Sequence, residues 1–346
     1  MSVGTTAVGW DAEPSGQHEP RAGTGAWRAR HPLAVFVLRR VAVGLLLLFA
    51  LSVLVFLGTQ ILPGDAAASI LGRNATPRAL AIMNRTLGLD KPLITRYGLW
   101  ISGILHGDLG RSLVSGEPVS SIIGYRIVNT LILAGTASII MIPLAVALGV
   151  LAGRKPGGAV DNVVSSGSLA MIAVPEFILG TLLIYLLAVQ LHWLPAVSVV
   201  LSGGPLTNPK ILVLPVLTLV IVGSAYIIRM VRAGIGEVMR SDYIEMARLN
   251  GVPERRIVLR HALRNALAPT VQVIALTLQW LVGGLFIVET VFAYPGIGAE
   301  LVQAVIARDI PVVQSVALLT AAVYIGINIL ADVLIVLLVP KLRTAA

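Results

Sequence analysis

Long apolar runs constrain the fold of this chain more than any other feature of its sequence. A helix rises about 1.5 Å per residue, so it needs roughly 20 apolar residues to cross a hydrocarbon core of about 30 Å. Stretches of that length occur at about residues 36–62, 127–152, 163–191, 211–229, 266–289 and 311–339. Because a bilayer admits only helices and closed barrels, we predict an all-α integral membrane protein with six transmembrane helices.

Composition and charge support lipid as the main solvent of the chain. Of 346 residues, 56% are hydrophobic and 12% are charged, whereas soluble domains carry about 25% charged residues. The net charge of +9 does not predict nucleic-acid binding, because membrane proteins collect Lys and Arg in their cytoplasmic loops. The chain contains no cysteine, which excludes disulfides, thiol catalysis and cysteine metal sites.

The first apolar run is predicted to be a retained span rather than a cleaved signal peptide. Arg39 and Arg40 precede it, and Ala66–Ala68 resembles a small-residue cleavage site. The run is longer than the apolar region of about 7–15 residues that is usual in signal peptides. Residues 1–32, rich in Gly, Pro, Ala and charge, are predicted to be a disordered cytoplasmic tail ahead of a six-span domain over 33–343.

The distribution of Lys and Arg predicts that both termini are cytoplasmic. With the N-terminus inside, the cytoplasmic segments carry 17 of these residues, and 8 of them lie between Arg229 and Arg264. The outer segments carry 9, but 7 of those lie in the long loop over 63–126, and long loops count little in this rule. Setting that loop aside leaves 17 positive residues inside and 2 outside.

The cytoplasmic loop over 230–265 has the most structured pattern outside the spans. Asp242 followed by Glu245 is typical of a helix N-cap with its partner, so a short helix is predicted to start near Tyr243. Gly251 would end it, and Pro253 suits the first turn of a second helix. On that second helix an apolar row and an adjacent basic row recur every four residues: Leu259, Leu263, Leu267, and Arg256, Arg260, Arg264.

Two interpretations of this pattern stay open on the residues alone. A short helix, a glycine hinge and an amphipathic helix can project into the cytoplasm and insert into a groove on a partner protein. The same basic amphipathic segment can also lie on the surface of anionic lipid.

The loop resembles a motif of a known transporter family. Glu245-Met246-Ala247 and, after three more residues, Gly251 are similar to the EAA loop of ABC importer permeases, with Met246 where alanine is usual. The long spacing from Gly251 to Pro269 resembles the dipeptide/oligopeptide/nickel subgroup. Further segments match this subgroup in order along the six-span frame, namely Leu62–Asp65, Leu87–Pro92, Gly107–Ser112 and Val288–Gly298.

The resemblance implies a type I ABC importer permease fold in the bacterial inner membrane. The chain would form half of the pathway for peptides or a related small solute, which an extracytoplasmic binding protein would deliver. Its other partners would be membrane lipid, a second homologous permease and two ATPase subunits that bind ATP and Mg, with no cofactor on this chain. The resemblance implies that Glu245, Ala247 and Gly251, which match the motif, belong to a helix that docks on the ATPase. The docking positions would be Tyr243, Ile244, Glu245, Met246, Ala247, Arg248, Asn250 and Gly251.

No catalytic, cofactor-binding or metal site is predicted on the chain itself. The sequence contains no G-x-x-x-x-G-K-[ST] phosphate loop, and its five histidines are scattered. A secondary transporter or channel is the alternative, but the sequence shows no internal repeat of the kind such proteins often carry. A membrane-embedded enzyme is a third reading, which the missing catalytic constellation disfavours.

Polar residues within the spans are the remaining functional candidates, because burying them in a bilayer is costly. Glu176 and Asn129 are candidates for the solute path, whereas Glu289 and Asp332, nearer span ends, are predicted to be structural. The outer loop over 63–126 and the segment from Tyr294 to Pro311 are predicted to meet the binding protein or to gate the outer mouth.

Overall fold

Helices make up most of the structure, a computed structural model that describes residues 32–61, 76–86, 90–200 and 203–338. Within those ranges an isolated antiparallel bridge joins Arg111 to Pro118. Four predicted segments lie outside the described residues: the tail apart from Pro32, the candidate cleavage site, the motif at Leu62–Asp65 and the first half of the motif at Leu87–Pro92.

The described helices are numbered here in chain order. They are α1 Pro32–Ile61, α2 Pro77–Thr86, α3 Leu93–Leu105, α4 Val119–Gly153, α5 Ala159–Ala173, α6 Glu176–Leu183, α7 Lys210–Met239, α8 Asp242–Leu249, α9 Glu254–Arg256, α10 Leu263–Val291, α11 Ile297–Ala307 and α12 Ile310–Leu338. Helix α6 continues as a π-helical turn over Ile184–Gln190, and a second π turn, Ile257–Ala262, joins α9 to α10.

The prediction of an all-α membrane protein is confirmed. Within the described residues, five helices are long and apolar enough to cross a membrane: α1, α4, α7, α10 and α12. The sixth candidate differs from the single helix predicted over 163–191, because α5 and α6 meet at an angle of 104°. Pro175 lacks an N–H group and forces Val174 into an extended conformation, with ψ at 119°, so the helix breaks there.

Helix α7 lies at the centre of the bundle and is the most enclosed of the long spans. Leu219, Ile227 and Ile235 on its faces are fully buried. A helix that is apolar on every face is stable in such a central position. Pro215 lies inside this helix, and Pro143 lies inside α4, so neither proline ends its helix.

Glycines let α4 approach the backbone of α7 closely. A Cβ atom added at Gly149 would lie 2.6 Å from Cβ of Val231, and one added at Gly153 would lie 2.7 Å from the carbonyl oxygen of Arg232. Small residues at helix crossings are a common means of tight packing in membranes. The C-terminal halves of α4 and α7 therefore form one closely packed unit.

Gly153→Ala should lower the stability of the protein in detergent by about 1–3 kcal/mol, because the added methyl group overpacks this crossing. Gly135→Ala, in the same helix, is the matched control, since a Cβ there meets nothing within 4 Å. Thermal unfolding of both variants measures the difference. Equal melting temperatures for the two would contradict the packing described here.

Candidate functional site

Helix α8, the predicted docking helix, follows α7 after a turn of two residues. Ser241 is its N-cap, with an extended backbone at φ −78° and ψ 147°, and the hydroxyl of Ser241 donates to the carbonyl oxygen of Val238. The predicted N-cap at Asp242 is therefore wrong by one residue. Asp242 and Glu245 both lie in the first turn instead, where carboxylates interact favourably with the helix dipole.

Gly251 ends α8 in a Schellman motif, as the sequence predicts. The amide of Val252 donates to the carbonyl oxygen of Ala247 at 3.0 Å, and the amide of Gly251 donates to that of Arg248 at 2.9 Å. Gly251 has φ at +73°, in the left-handed region that favours glycine. A Cβ there would meet nothing within 4 Å, so backbone conformation alone requires the glycine.

The two faces of α8 differ sharply in burial. Ile244 is fully buried, and Ala247 is half-buried against the same core. Tyr243, Met246 and Leu249 are 45%, 61% and 77% exposed. Their spacing of three residues places them on one side of the helix, so they form an exposed apolar face, called here the docking face. An apolar patch beside charged residues is typical of an interaction site.

The segment after Gly251 differs in register from its prediction. Pro253 is the N-cap of α9, one residue before the predicted first turn. Ile257, Val258 and Ala262 are buried, whereas Leu259 of the predicted apolar row is exposed. The π turn holds more residues than an α turn, so it rotates the buried face away from the four-residue period. The basic row is exposed at each of its members, Arg256, Arg260 and Arg264.

An ion pair links the two arms of the loop across this turn. Arg248 donates to the carboxylate of Glu254 at 2.9 Å. This hydrogen bond lowers the pKa of Glu254, and the positive charges of Arg248 and Lys155 lower it further. Lys155 belongs to the turn between α4 and α5, so that turn lies close to the docking loop.

The two candidates for the solute path lie in different surroundings. Glu176 is the first residue of α6, directly after the break at Pro175, and it is half-buried. Asn129 is buried in α4, where its side-chain amide donates to the carbonyl oxygen of Pro295 at 2.9 Å. Their roles in a solute path stay predictions.

Glu289 holds the N-terminus of α11 from a neighbouring helix. It is fully buried at the end of α10, and its carboxylate accepts hydrogen bonds from the amides of Gly298 at 2.7 Å and Ala299 at 3.2 Å. The hydroxyl of Thr130 donates to the other oxygen at 2.6 Å. Gly296, the N-cap, carries no side chain because a Cβ there would overlap this carboxylate. Glu289, which is distant in sequence, thus caps α11 in place of an N-cap side chain.

The outer segments predicted as two separate gates are joined by buried contacts. The carboxylate of Asp309 accepts hydrogen bonds from the hydroxyl of Ser112 and from the amide of Leu113, the latter at 3.0 Å. Arg126 forms an ion pair with Glu300 at 2.8 Å. These contacts hold together the loop around Ser112, the N-terminal part of α4 and helix α11. The sequence gives no signal for these contacts, because their partners lie far apart along the chain.

Comparison with known proteins identifies the family. The profile described as "Binding-protein-dependent transport system inner membrane component" matches residues 145–344, and the profile of the N-terminal part of such membrane components matches residues 33–136. A Brucella abortus protein named as a peptide transport system permease is 37% identical over 312 residues, which cover 90% of this chain and 99% of the relative.

Two further relatives extend over nearly the same region. A Sinorhizobium fredii protein named as a peptide ABC transporter permease is 34% identical over 317 residues, covering 90% of this chain and 100% of its own. The glutathione transport system permease protein GsiC of Escherichia coli is 37% identical over 308 residues, covering 89% of this chain and 98% of its own.

The fold and these matches define a multi-pass inner-membrane permease of an ABC importer. The chain belongs to the peptide family of binding-protein-dependent inner-membrane transport components. It is not itself an enzyme, since ATP hydrolysis in such systems lies in separate subunits, and its partners include an ATPase and a binding protein. The secondary-transporter and membrane-enzyme alternatives are thereby set aside.

Glu289→Leu should lower stability by about 1–3 kcal/mol for each amide left unpaired at the start of α11. Glu289→Gln should cost less, because its carbonyl oxygen still accepts from these amides. Thr290→Val is the control, since that exposed hydroxyl bonds only within its own helix, to the carbonyl oxygen of Phe286. Thermal unfolding in detergent ranks the three, and a Glu289→Leu protein as stable as Thr290→Val would refute the capping role.

Proposed function

We propose that the chain works as one of two unlike permease subunits and imports a peptide or a peptide-like solute such as glutathione. The observation that carries this proposal is the docking face of α8, which is held out by the Gly251 turn while Ile244 anchors the helix to the core. The names of the relatives, two for peptides and one for glutathione, support the solute class.

The partner arrangement proposed here is two permeases, two ATPase subunits and one external binding protein. ATP and Mg bind on the ATPase subunits, in keeping with the missing phosphate-loop motif in this chain. Both termini and α8 face the cytoplasm, which the excess of 17 positive residues inside over 2 outside supports. The predicted docking positions from Tyr243 to Gly251 lie at the end of the central helix α7.

Movement of α8 would switch the access of a central path between the two sides of the membrane. The ATPase subunits approach each other when they bind ATP, and α8 moves with the subunit on which it docks. Because α7 runs into α8 after only Arg240 and Ser241, this movement reaches the middle of the bundle directly. Rigid-body movement of packed helices is the general form of such a switch. Glu176 and Asn129 remain the proposed path residues.

Replacing Met246 and Leu249 together by Asp should abolish retention of the ATPase when the complex is purified through this chain. The charges would have to be desolvated in the apolar interface. Leu206→Asp is the matched control, because Leu206 is also exposed, at 65%, but lies in the outer turn Pro205–Thr207. Full retention in the double variant, or equal loss in the control, would disprove docking through this face.

Substitutions at Gly251 should reduce uptake in the order of the conformational free energy that each residue needs to adopt the left-handed backbone region. Asn should retain most activity, Ala should lose part of it at a cost of about 1–2 kcal/mol, and Val should lose most. Initial uptake rates in cells, normalised to the amount of membrane-inserted protein, measure the series. Equal activity of Asn and Val would show that the turn does not need this conformation.

The solute class is tested with the assembled transporter in proteoliposomes. Labelled dialanine and labelled reduced glutathione are each supplied with the cognate binding protein and internal ATP. We expect ATP-dependent uptake of at least one of them and competition by unlabelled dipeptides or glutathione. Transport of neither, by a complex that hydrolyses ATP in response to its binding protein, would contradict a peptide-like solute.

A further inference from the structure

Helix α5 is attached to the rest of the protein differently from the other long helices. Its only fully buried side chains are polar, those of Asp161 and Ser168. Three of its apolar side chains, Val160, Val163 and Leu169, are at least half exposed, and Val164 is only partly buried against the core. Apolar packing alone does little to fix the position of a helix that buries so little apolar surface.

Asp161 supplies the specific attachment of α5. Its carboxylate, 2% exposed, forms a two-pronged ion pair with Arg232 of α7, with one contact at 2.8 Å. It also accepts the amide of Gly157 at 2.8 Å and the hydroxyl of Ser165 at 3.0 Å. Bidentate pairing of Arg with a carboxylate fixes orientation as well as distance. One side chain therefore binds α7, its own helix and the turn that leads from α4.

Arg232 lies on the part of α7 that moves with the docking helix. It is ten positions before Asp242, the first residue of α8, and the remaining stretch of α7 down to Met239 spans about 10 Å. The backbone of α4 packs tightly on this same stretch through Gly149 and Gly153. Displacement of α8 therefore moves Arg232 together with the packed ends of α4 and α7.

The far end of α5 is the break at Pro175, and α6 beyond it packs against both α7 and α10. Leu179 and Gly180 of α6 are buried, and a Cβ at Gly180 would lie 3.2 Å from the ring of Phe292, just past the end of α10. Because α5 and α6 meet at a bend of 104°, α5 can change its orientation without an equal movement of α6. Glu176, the proposed path residue, is at this bend.

We propose that Asp161 is the positioning residue through which movement of α7 and the docking helix reaches α5 and the bend at Pro175. The ion pair with Arg232 pulls the cytoplasmic end of α5 along with the part of α7 that leads into α8, while α6 is held at Gly180 against Phe292. The angle at the bend, and with it the position of Glu176, changes as the docking helix moves. This inference rests on the docking role proposed above.

The test measures coupling in the complete complex in proteoliposomes, with ATP hydrolysis and uptake of labelled dialanine and glutathione followed in the same preparation. Asp161→Asn removes the charge but keeps the shape. We expect it to retain ATP hydrolysis and to lower uptake per ATP by about fivefold or more, the range of a coupling free energy between sites. Arg232→Lys, which keeps the positive charge but not the two-pronged contact, should fall between Asp161→Asn and the wild type.

A matched control is available in a second ion pair between helices. Arg40 of α1 and Asp332 of α12 lie 3.1 Å apart, away from α7 and α8. Asp332→Asn should leave uptake per ATP unchanged. Wild-type coupling in Asp161→Asn, or equal uncoupling in Asp332→Asn, would overturn the proposal. Failure of the Asp161→Asn complex to assemble would overturn it too, because the pair would then hold the fold rather than carry movement.

The position of α5 gives a second readout that does not depend on the solute. The chain contains no cysteine, so a single Cys in place of the exposed Val163 reports on α5 alone. Its rate of labelling by a maleimide should differ between nucleotide-free and vanadate-trapped complexes, and Asp161→Asn should abolish this difference. An unchanged difference would overturn the inference. A wild-type chain that fails to retain the ATPase would instead disprove the docking role itself.

Discussion

The packing of α4 on α7 is the contact on which the rest of the structure depends. In a bilayer the hydrophobic effect does not drive helices together, so close van der Waals contact between small residues has to do so. Gly149 and Gly153 provide that contact against Val231 and Arg232, on the half of α7 that leads into α8. The docking helix continues from one side of this unit, and the turn leading to α5 continues from the other.

The two ends of the bundle are built on different principles. At the end that carries α11, buried carboxylates join distant segments: Asp309 holds the loop around Ser112, and Glu289 holds the start of α11. At the end that carries α8, an exposed helix is fixed by one buried residue, Ile244, and ends at a glycine turn. The first end is cross-linked by buried polar contacts, whereas the second presents a small exposed helix, which is the part of the structure on which the proposed docking depends.

Features that depend on local pattern could be predicted from the sequence. Run length identified the long spans, and Gly251 was recognisable as the end of a helix because its neighbours have helical periodicity and it has no Cβ. The break of 104° at Pro175 could not be predicted, because other prolines, Pro143 and Pro215, lie inside unbroken helices. The π turn after Arg256 also escaped prediction, since its residues have ordinary helical preferences.

Contacts between distant residues could not be predicted, although they decide the roles of single side chains. Asp161 is separated from Arg232 by 71 positions and Thr130 from Glu289 by 159, and no periodicity connects either pair. Glu289 was expected to be structural. Only the folded chain shows that its carboxylate occupies the space that a side chain at Gly296 would need.

The capping of α11 by Glu289 also bears on the order in which the protein is built. The start of α11 finds its hydrogen-bond acceptors on α10 and α4, through Glu289 and Thr130, rather than in its own sequence. Both helices leave the ribosome before α11 does, and both must be inserted and paired before this cap exists. The start of α11 therefore finds its hydrogen-bond acceptors in place only in a chain whose α4 and α10 have already met.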